Sequence, residues 1–222
     1  MKRSAAWFAM LLPAWLLAQN PVQHKTKAEI EKMHQDSKAY ISMLENPERE
    51  AEQKPDEVIK ALGIQPGETI ADIGAGSGYF AFRFSRHVGE SGRVYAVDVS
   101  SDMILFMNRR IRDLKLKNVV TVLSAPDDPL LMDNSVDRFF ICNTWHHIEN
   151  RSQYLALMKK MLRPGGQIID IDYHKKELPV GPPLEMKIAR EDVVRLMESY
   201  GFKLAQEHHF LPYQYFLVFT PR

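Results

Sequence analysis

Three glycines at alternate positions, Gly74, Gly76 and Gly78, separate a run that reads as a strand, Thr69–Ile73, from one that reads as a helix, beginning at Tyr79. No other feature constrains the fold as much. A strand that feeds a helix directly belongs to a parallel sheet with helices on its faces, and the turn then lies at the carboxyl edge, where ligands bind. Glycines there let the backbone turn sharply and let a ligand approach the main chain without a Cβ in the way.

The chain downstream keeps the same alternation. Strands are expected at Arg93–Asp98, Val119–Ser124, Val136–Asn143 and Gln167–Asp172. Between them, Met103, Phe106, Met107, Ile111 and Leu114 mark one face of a helix over 101–114. Tyr154, Leu157, Met158, Met161 and Leu162 do the same for a helix over 153–162. A last helix near Glu191–Tyr200, stopped by Gly201, leads into two strand-like runs, Lys203–Phe210 and Gln214–Thr220. The connection Leu211-Pro212-Tyr213 is so short that it can join only antiparallel strands. The expected fold is α/β: a three-layer, Rossmann-like arrangement around a mostly parallel seven-stranded sheet that closes with a C-terminal antiparallel hairpin.

Composition supports one self-sufficient domain, with 222 residues of which 45% are hydrophobic and 26% charged. Lys and Arg total 29 against 28 for Asp and Glu, so the electrostatic footprint of a nucleic-acid binder is absent. The single cysteine, Cys142, forms no internal bridge and is too little for a tetrahedral zinc site.

The ends differ from the middle. Lys2 and Arg3 precede an uncharged stretch, Ser4 to Ala18, whose apolar core AAWFAMLLPAWLLA reads as a secretory signal over residues 1–18. It is too short, and too interrupted by Pro13, for a stable membrane span, which needs about 20 apolar residues. Export to the periplasm or beyond is expected. The alternatives are a cytoplasmic protein or an N-terminal anchor, because Leu16 stands where a cleavage site wants a small residue. Residues 19–54 are polar and helical in character, with Ile30, Met33, Ile41 and Leu44 as apolar points, and form a helical cover. The main domain, 55–222, opens with a helix that Pro55-Asp56-Glu57 starts and Gly63 stops.

Beyond Gly78, Asp98 ends the second strand where a carboxylate can accept both hydroxyls of a ribose, which indicates a nucleoside-containing ligand. A dinucleotide fingerprint would carry its third glycine at position 79, which is Tyr79. Asp72 also precedes the loop, where a carboxylate would repel a pyrophosphate yet suit a cationic amino-acid tail. The spacing favours S-adenosylmethionine.

These pieces, ADIGAGSGYF, VYAVDVSSDM, SAPDDP, LRPGGQIIDID and the closing hairpin, resemble the class I S-adenosylmethionine-dependent methyltransferases from about Pro55 to Arg222. PDDP, HHIENR, PVGPP and EHHFLPYQYFLVF also look like a bacterial subgroup that often carries an export signal. The resemblance implies that Asp72, Gly74 and Gly76 hold the methionine end of the cofactor, with Gly78 packing the next helix. It implies Asp98 on the ribose, Val99 and Met103 against the adenine, and Asp127 or Asp128 near its amino group. Pro126-Asp127-Asp128-Pro129 is equally a turn sequence. Asn143 would face cofactor and acceptor.

Methyl transfer from a sulfonium needs in-line placement and exclusion of water, and a base only if the acceptor holds its proton. His146 and His147, after the fourth strand, are the candidates, with His146 preferred; a satisfied structural histidine is the plainer alternative. Their spacing matches no strong metal motif. Asn143-Thr144-Trp145-His146 lacks the prolines of base-amine methylation, and Cys142 lies within a strand rather than beside a proline as a nucleophile would. The expected activity is S-adenosylmethionine-dependent methyl transfer to a small-molecule acceptor. The alternative is an exported, noncatalytic binding protein that keeps the fold.

Overall fold

The structure, a computed structural model, describes residues 36–222 together with positions 26, 28, 29, 32 and 35. The expected signal at 1–18 and the apolar points Ile30 and Met33 lie outside the described residues. Strand β1 (Thr69–Ile73) is buried at every position, as a central parallel strand must be. It pairs in parallel with β2 (Arg93–Asp98) on one side and β4 (Val136–Cys142) on the other. Beyond β2 lies β3 (Val119–Leu123), and beyond β4 lies β5 (Leu162–Tyr173), both parallel. The last strand, β7 (Gln214–Pro221), inserts antiparallel between β5 and β6 (Phe202–His208), so the order is β3-β2-β1-β4-β5-β7-β6. The chain winds outward from β1 in one direction and from β4 in the other. That reversal opens a crevice at the carboxyl ends of these two strands.

Helices α1 (Ser37–Leu44), α2 (Arg49–Gln53) and α3 (Pro55–Leu62) precede the sheet. Helices α4 (Ala81–Val88), α5 (Ser101–Asp113), α6 (Arg151–Met161) and α7 (Arg190–Ser199) follow. Pro55 occupies the first turn of α3 and Gly63 closes it at φ 55°, as the punctuation predicts. On one face of the sheet Phe80, Phe84 and Phe140 meet, with Phe140 4.8 Å from each of the other two ring centroids. On the other, Phe139, Tyr154, Met158 and Leu217 pack together.

Strand β5 begins at Leu162, earlier than expected, because α6 ends at Met161 and Leu162 pairs with Val136 before the register shifts to Arg138↔Gln167. Arg138 is bonded twice to Glu68, at 2.9 and 2.8 Å, and to the Leu62 carbonyl at 2.7 Å. That grip ties β4 to the end of α3. Among the described residues no helix is long and apolar enough to cross a membrane.

Candidate active site

At the crevice, Gly74, Gly76 and Gly78 adopt φ of 69°, 56° and 83°, the left-handed region that only glycine enters cheaply. A Cβ on Gly78 would lie 2.6 Å from the Phe82 ring, so this glycine lets α4 close on the loop. Asp72, at the end of β1, is buried, and its Oδ2 has no hydrogen-bond partner. Burial pushes its pKa up to about 8; the Ala81 N–H at the start of α4 and the charge of Arg49 pull the other way. Asp98 is buried too, and its carboxylate accepts from Gly76 N–H at 2.8 Å and Ser100 N–H at 2.9 Å. It thus joins the tip of β2 to the glycine loop. Burial raises its pKa while those amides lower it.

Past Asp98, Val99 is 58% exposed and can meet a planar base, whereas Met103 is buried under the first turn of α5, which Ser100 caps. The Pro126–Pro129 segment is a turn closed between Ala125 and Asp128. Asp128 accepts from Leu130 N–H at 2.7 Å, and Asp127 from Gln153 at 3.3 Å. Burial raises the Tyr154 hydroxyl, and the charges of Asp128 and Asp98 add to that shift.

Asn143 follows β4 with φ 55°, and its side chain accepts from Gln214 Nε2 at 2.5 Å. Its Nδ2 donates to Gln53 Oε1 at 3.4 Å, and the Cys142 thiol donates to the same oxygen at 3.3 Å. Gln53 and Gln214 are both buried, so a chain of amides joins α2, β4 and β7 across the crevice. Burial holds the Cys142 thiol well above its usual range, which leaves it a packing residue rather than a nucleophile.

His146 Nδ1 sits 2.8 Å from Asp172 Oδ2, and that carboxylate also accepts from the backbone N–H of His146 and of Tyr173. The pair is almost wholly covered, with side chains 3% and 1% exposed. His147 is exposed at the surface, its ring 4.2 Å from that of His146. Asp172 was the partner missing from the sequence reading. Its signal is the alternation Ile169-Asp170-Ile171-Asp172, which puts both acids on the α6 face of β5. Asp170 is fully buried with neither oxygen partnered, and burial beside Asp172 pushes it well above the carboxylate range.

The helices before Pro55 lie over this edge. Tyr40 feels the charge of Asp98, and burial lifts its hydroxyl to about 12. Leu44 Cδ1 stands 2.9 Å from where a Gly76 Cβ would be. Arg49 and Arg83 each stack on the Tyr79 ring at 4.1 Å, and Glu50 accepts from the Tyr79 hydroxyl at 2.9 Å while pairing with Arg83. Tyr79 therefore presents its ring to the protein's own cations.

Fold and site together define a doubly wound α/β protein whose crevice carries a glycine loop flanked by two buried carboxylates, Asp72 and Asp98. Comparison with known proteins agrees. The methyltransferase domain family matches residues 64–209. A crystal structure of a SAM-dependent methyltransferase from Aquifex aeolicus superimposes with a TM-score of 0.78 at 30% identity, covering 82% of this chain and 97% of that one. The ubiquinone/menaquinone biosynthesis C-methyltransferase UbiE of Klebsiella pneumoniae is 28% identical over 127 residues, 57% of this chain and 49% of that protein. The chain spans about half the length of the curated relatives it matches. At 13% identity the [4+2]-cyclase SpnF shares the fold, with a TM-score of 0.70 over 89% of this chain and 97% of that one. The chain belongs to the methyltransferase domain family, in its class I, S-adenosylmethionine-dependent form.

S-Adenosylmethionine fits what the residues offer. The unpartnered Asp72 oxygen suits the ammonium of its methionine end, Asp98 suits the ribose, and exposed Val99 suits the adenine.

Proposed function

We propose that this chain moves a methyl group from S-adenosylmethionine to a small-molecule acceptor that lies over the ends of β4 and β5. The observation that carries the reading is Asp72, a buried carboxylate with an unpartnered oxygen beside a glycine loop that Asp98 buttresses. The bound cofactor supplies a methyl already activated on a sulfonium. The protein's part is therefore placement and the exclusion of water. Asp72, the glycine loop, Asp98, Val99 and Met103 fix the donor, with Asp127 or Asp128 near the amino group of the base. Asn143, held by Gln53 and Gln214, orients the acceptor, and the α1–α2 cover keeps water out.

Where the acceptor must lose a proton, His146 takes it, and Asp172 fixes the ring by its Nδ1 so that Nε2 is the accepting nitrogen. His147, exposed beside it, is the second candidate. The curated relatives' names make a quinone-type ring carbon one acceptor to include; hydroxyl, amine and thiol acceptors complete the set. We place the protein outside the cytoplasm on the strength of Lys2, Arg3 and the apolar run that follows.

The test is release of S-adenosylhomocysteine from methyl-labelled cofactor with each acceptor class and with a bacterial metabolite extract. The expected result is acceptor-dependent turnover that His146→Ala cuts by about 10²–10⁴. Cofactor binding without turnover on any acceptor would favour a noncatalytic role. Turnover and acceptor affinity unchanged in His146→Ala would remove the base.

A further inference from the structure

The cations of this nearly neutral chain are unevenly spread. Residues 109–117, RRIRDLKLK, hold five basic side chains against one acid, Asp113. They form the last turns of α5 and the turn that follows. Arg110 pairs with Glu45 of α1, whereas Arg109, Arg112, Lys115 and Lys117 are exposed and make no ion pair among the described residues. Leu105, Arg109 and Arg112 recur at helical spacing on the outer face of α5, opposite the buried Met103 and Met107. Leu105 and Leu114 are 55% and 47% exposed among these charges. Lys115 ends the helix at φ 54°, where glycine is the usual residue, and its N–H donates to the Arg112 carbonyl while that of Leu116 donates to Ile111. The chain thus tolerates backbone strain at a position that presents a cation.

A surface that sets unpaired cations beside exposed leucines fits anionic lipid. The cations meet headgroup phosphates, and the leucines enter the headgroup layer. A nucleic acid would engage the cations and leave the leucines in water. The beginning of the chain adds a second argument. Helix α1 is bonded to α5, Ser37 to Asp102 and Glu45 to Arg110, so the residues before α1 start from this side of the molecule. Their sequence carries Lys2, Arg3 and the apolar run 5–18, which is too short to span a bilayer. We propose that the outer face of α5 docks on an anionic phospholipid bilayer, with Arg109, Arg112, Lys115 and Lys117 on the headgroups and Leu105 and Leu114 between them. A short apolar segment and a basic patch on one chain reinforce each other, because each alone binds only weakly. Docking leaves the crevice open. Asp98 lies before the start of α5, whereas Lys115 and Lys117 lie past its far end, about 20 Å along the helix.

The test is sedimentation of the full chain with vesicles of phosphatidylcholine alone and of phosphatidylcholine with about one third phosphatidylglycerol. One variant combines Arg109→Gln, Arg112→Gln, Lys115→Asn and Lys117→Gln; asparagine is chosen because it tolerates the left-handed backbone. A second combines Leu105→Gln and Leu114→Gln. Melting points and S-adenosylhomocysteine affinity, expected to be unchanged, report that each variant is folded; Lys115→Asn and Lys117→Gln alone form a milder third variant. Wild type is expected to prefer the anionic vesicles at about 0.1 M salt and to lose that preference at about 0.5 M. The charge variant should bind anionic vesicles about 10–100-fold more weakly and neutral ones equally, with the milder variant in between. The leucine variant should also weaken anionic binding, by about threefold or more. A wild type without preference for phosphatidylglycerol, or a charge variant that keeps it, would overturn the proposal and leave these cations as complements to the negative end of α5. So would a leucine variant indistinguishable from wild type on vesicles, since the patch would then be a purely electrostatic surface open to any polyanion.

Discussion

Asp72 is ionised in the unfolded chain above about pH 4 and, left without a cationic partner, protonated in the folded one up to about pH 8. Between those values the folded protein holds a proton the unfolded chain has released, so this residue's contribution to stability falls as pH rises. The slope is at most about 1.4 kcal/mol per pH unit. Affinity for a cationic ligand runs the opposite way, rising from pH 6 to pH 8 as the carboxylate ionises. Thermal melts from pH 5 to 8 without ligand are expected to show Asp72→Asn gaining on wild type as pH rises. The same variant binds S-adenosylmethionine more weakly and without that pH trend. A constant difference in melting point across the range would mean that Asp72 is not held neutral. At this scale the sequence was legible where chemistry is local: Asp72, Asp98 and the glycines need only their neighbours in the chain. Arg49 and Asp172 were illegible, because each acts through a partner far along the chain, and a single arginine in a polar helix carries no periodic signal; Gln53 was legible at the base of the helical cover, but not its bond to Asn143.

The strands and helices from Thr69 onward follow the hydrophobic pattern closely, since each buries apolar residues at the period its geometry demands. Their ends shift where a tertiary contact overrides the local signal. Strand β5 starts at Leu162, against Val136, and α4 starts at Ala81, after a turn that carries the chain through Ser77–Phe80. The α1–α2 cover was expected, but not its residue-by-residue seat on Gly76, Tyr79 and Asn143. Between elements, the Arg138–Glu68 pair is the most enclosed ion pair outside the site among the described residues, with side chains 13% and 19% exposed. Arg138→Ala leaves Glu68 charged, half-sequestered and unpaired, and also frees the Leu62 carbonyl. The expected cost is about 2–4 kcal/mol, or roughly a 5–15 °C lower melting point. A melting point within about 1 °C of wild type would show that water satisfies Glu68 without its partner.

For the whole molecule, the sheet order places β1, β2 and β4 so that Asp72, Asp98 and Asn143 all end at one edge, although they are far apart in sequence. That convergence turns separate signals into a single site. Strand β7 between β5 and β6 adds Gln214 to the same edge from the far end of the chain. The measurement that tests this most directly is thermal unfolding of the chain with S-adenosylhomocysteine, run beside Asp98→Ala. A ligand at 100 times its dissociation constant stabilises by about 2.7 kcal/mol, which raises the midpoint by roughly 5–10 °C in a protein of this size. The expected result is a shift of that order in wild type that Asp98→Ala abolishes. No shift in wild type, or an equal shift in Asp98→Ala, would contradict a cofactor site at this edge of the sheet.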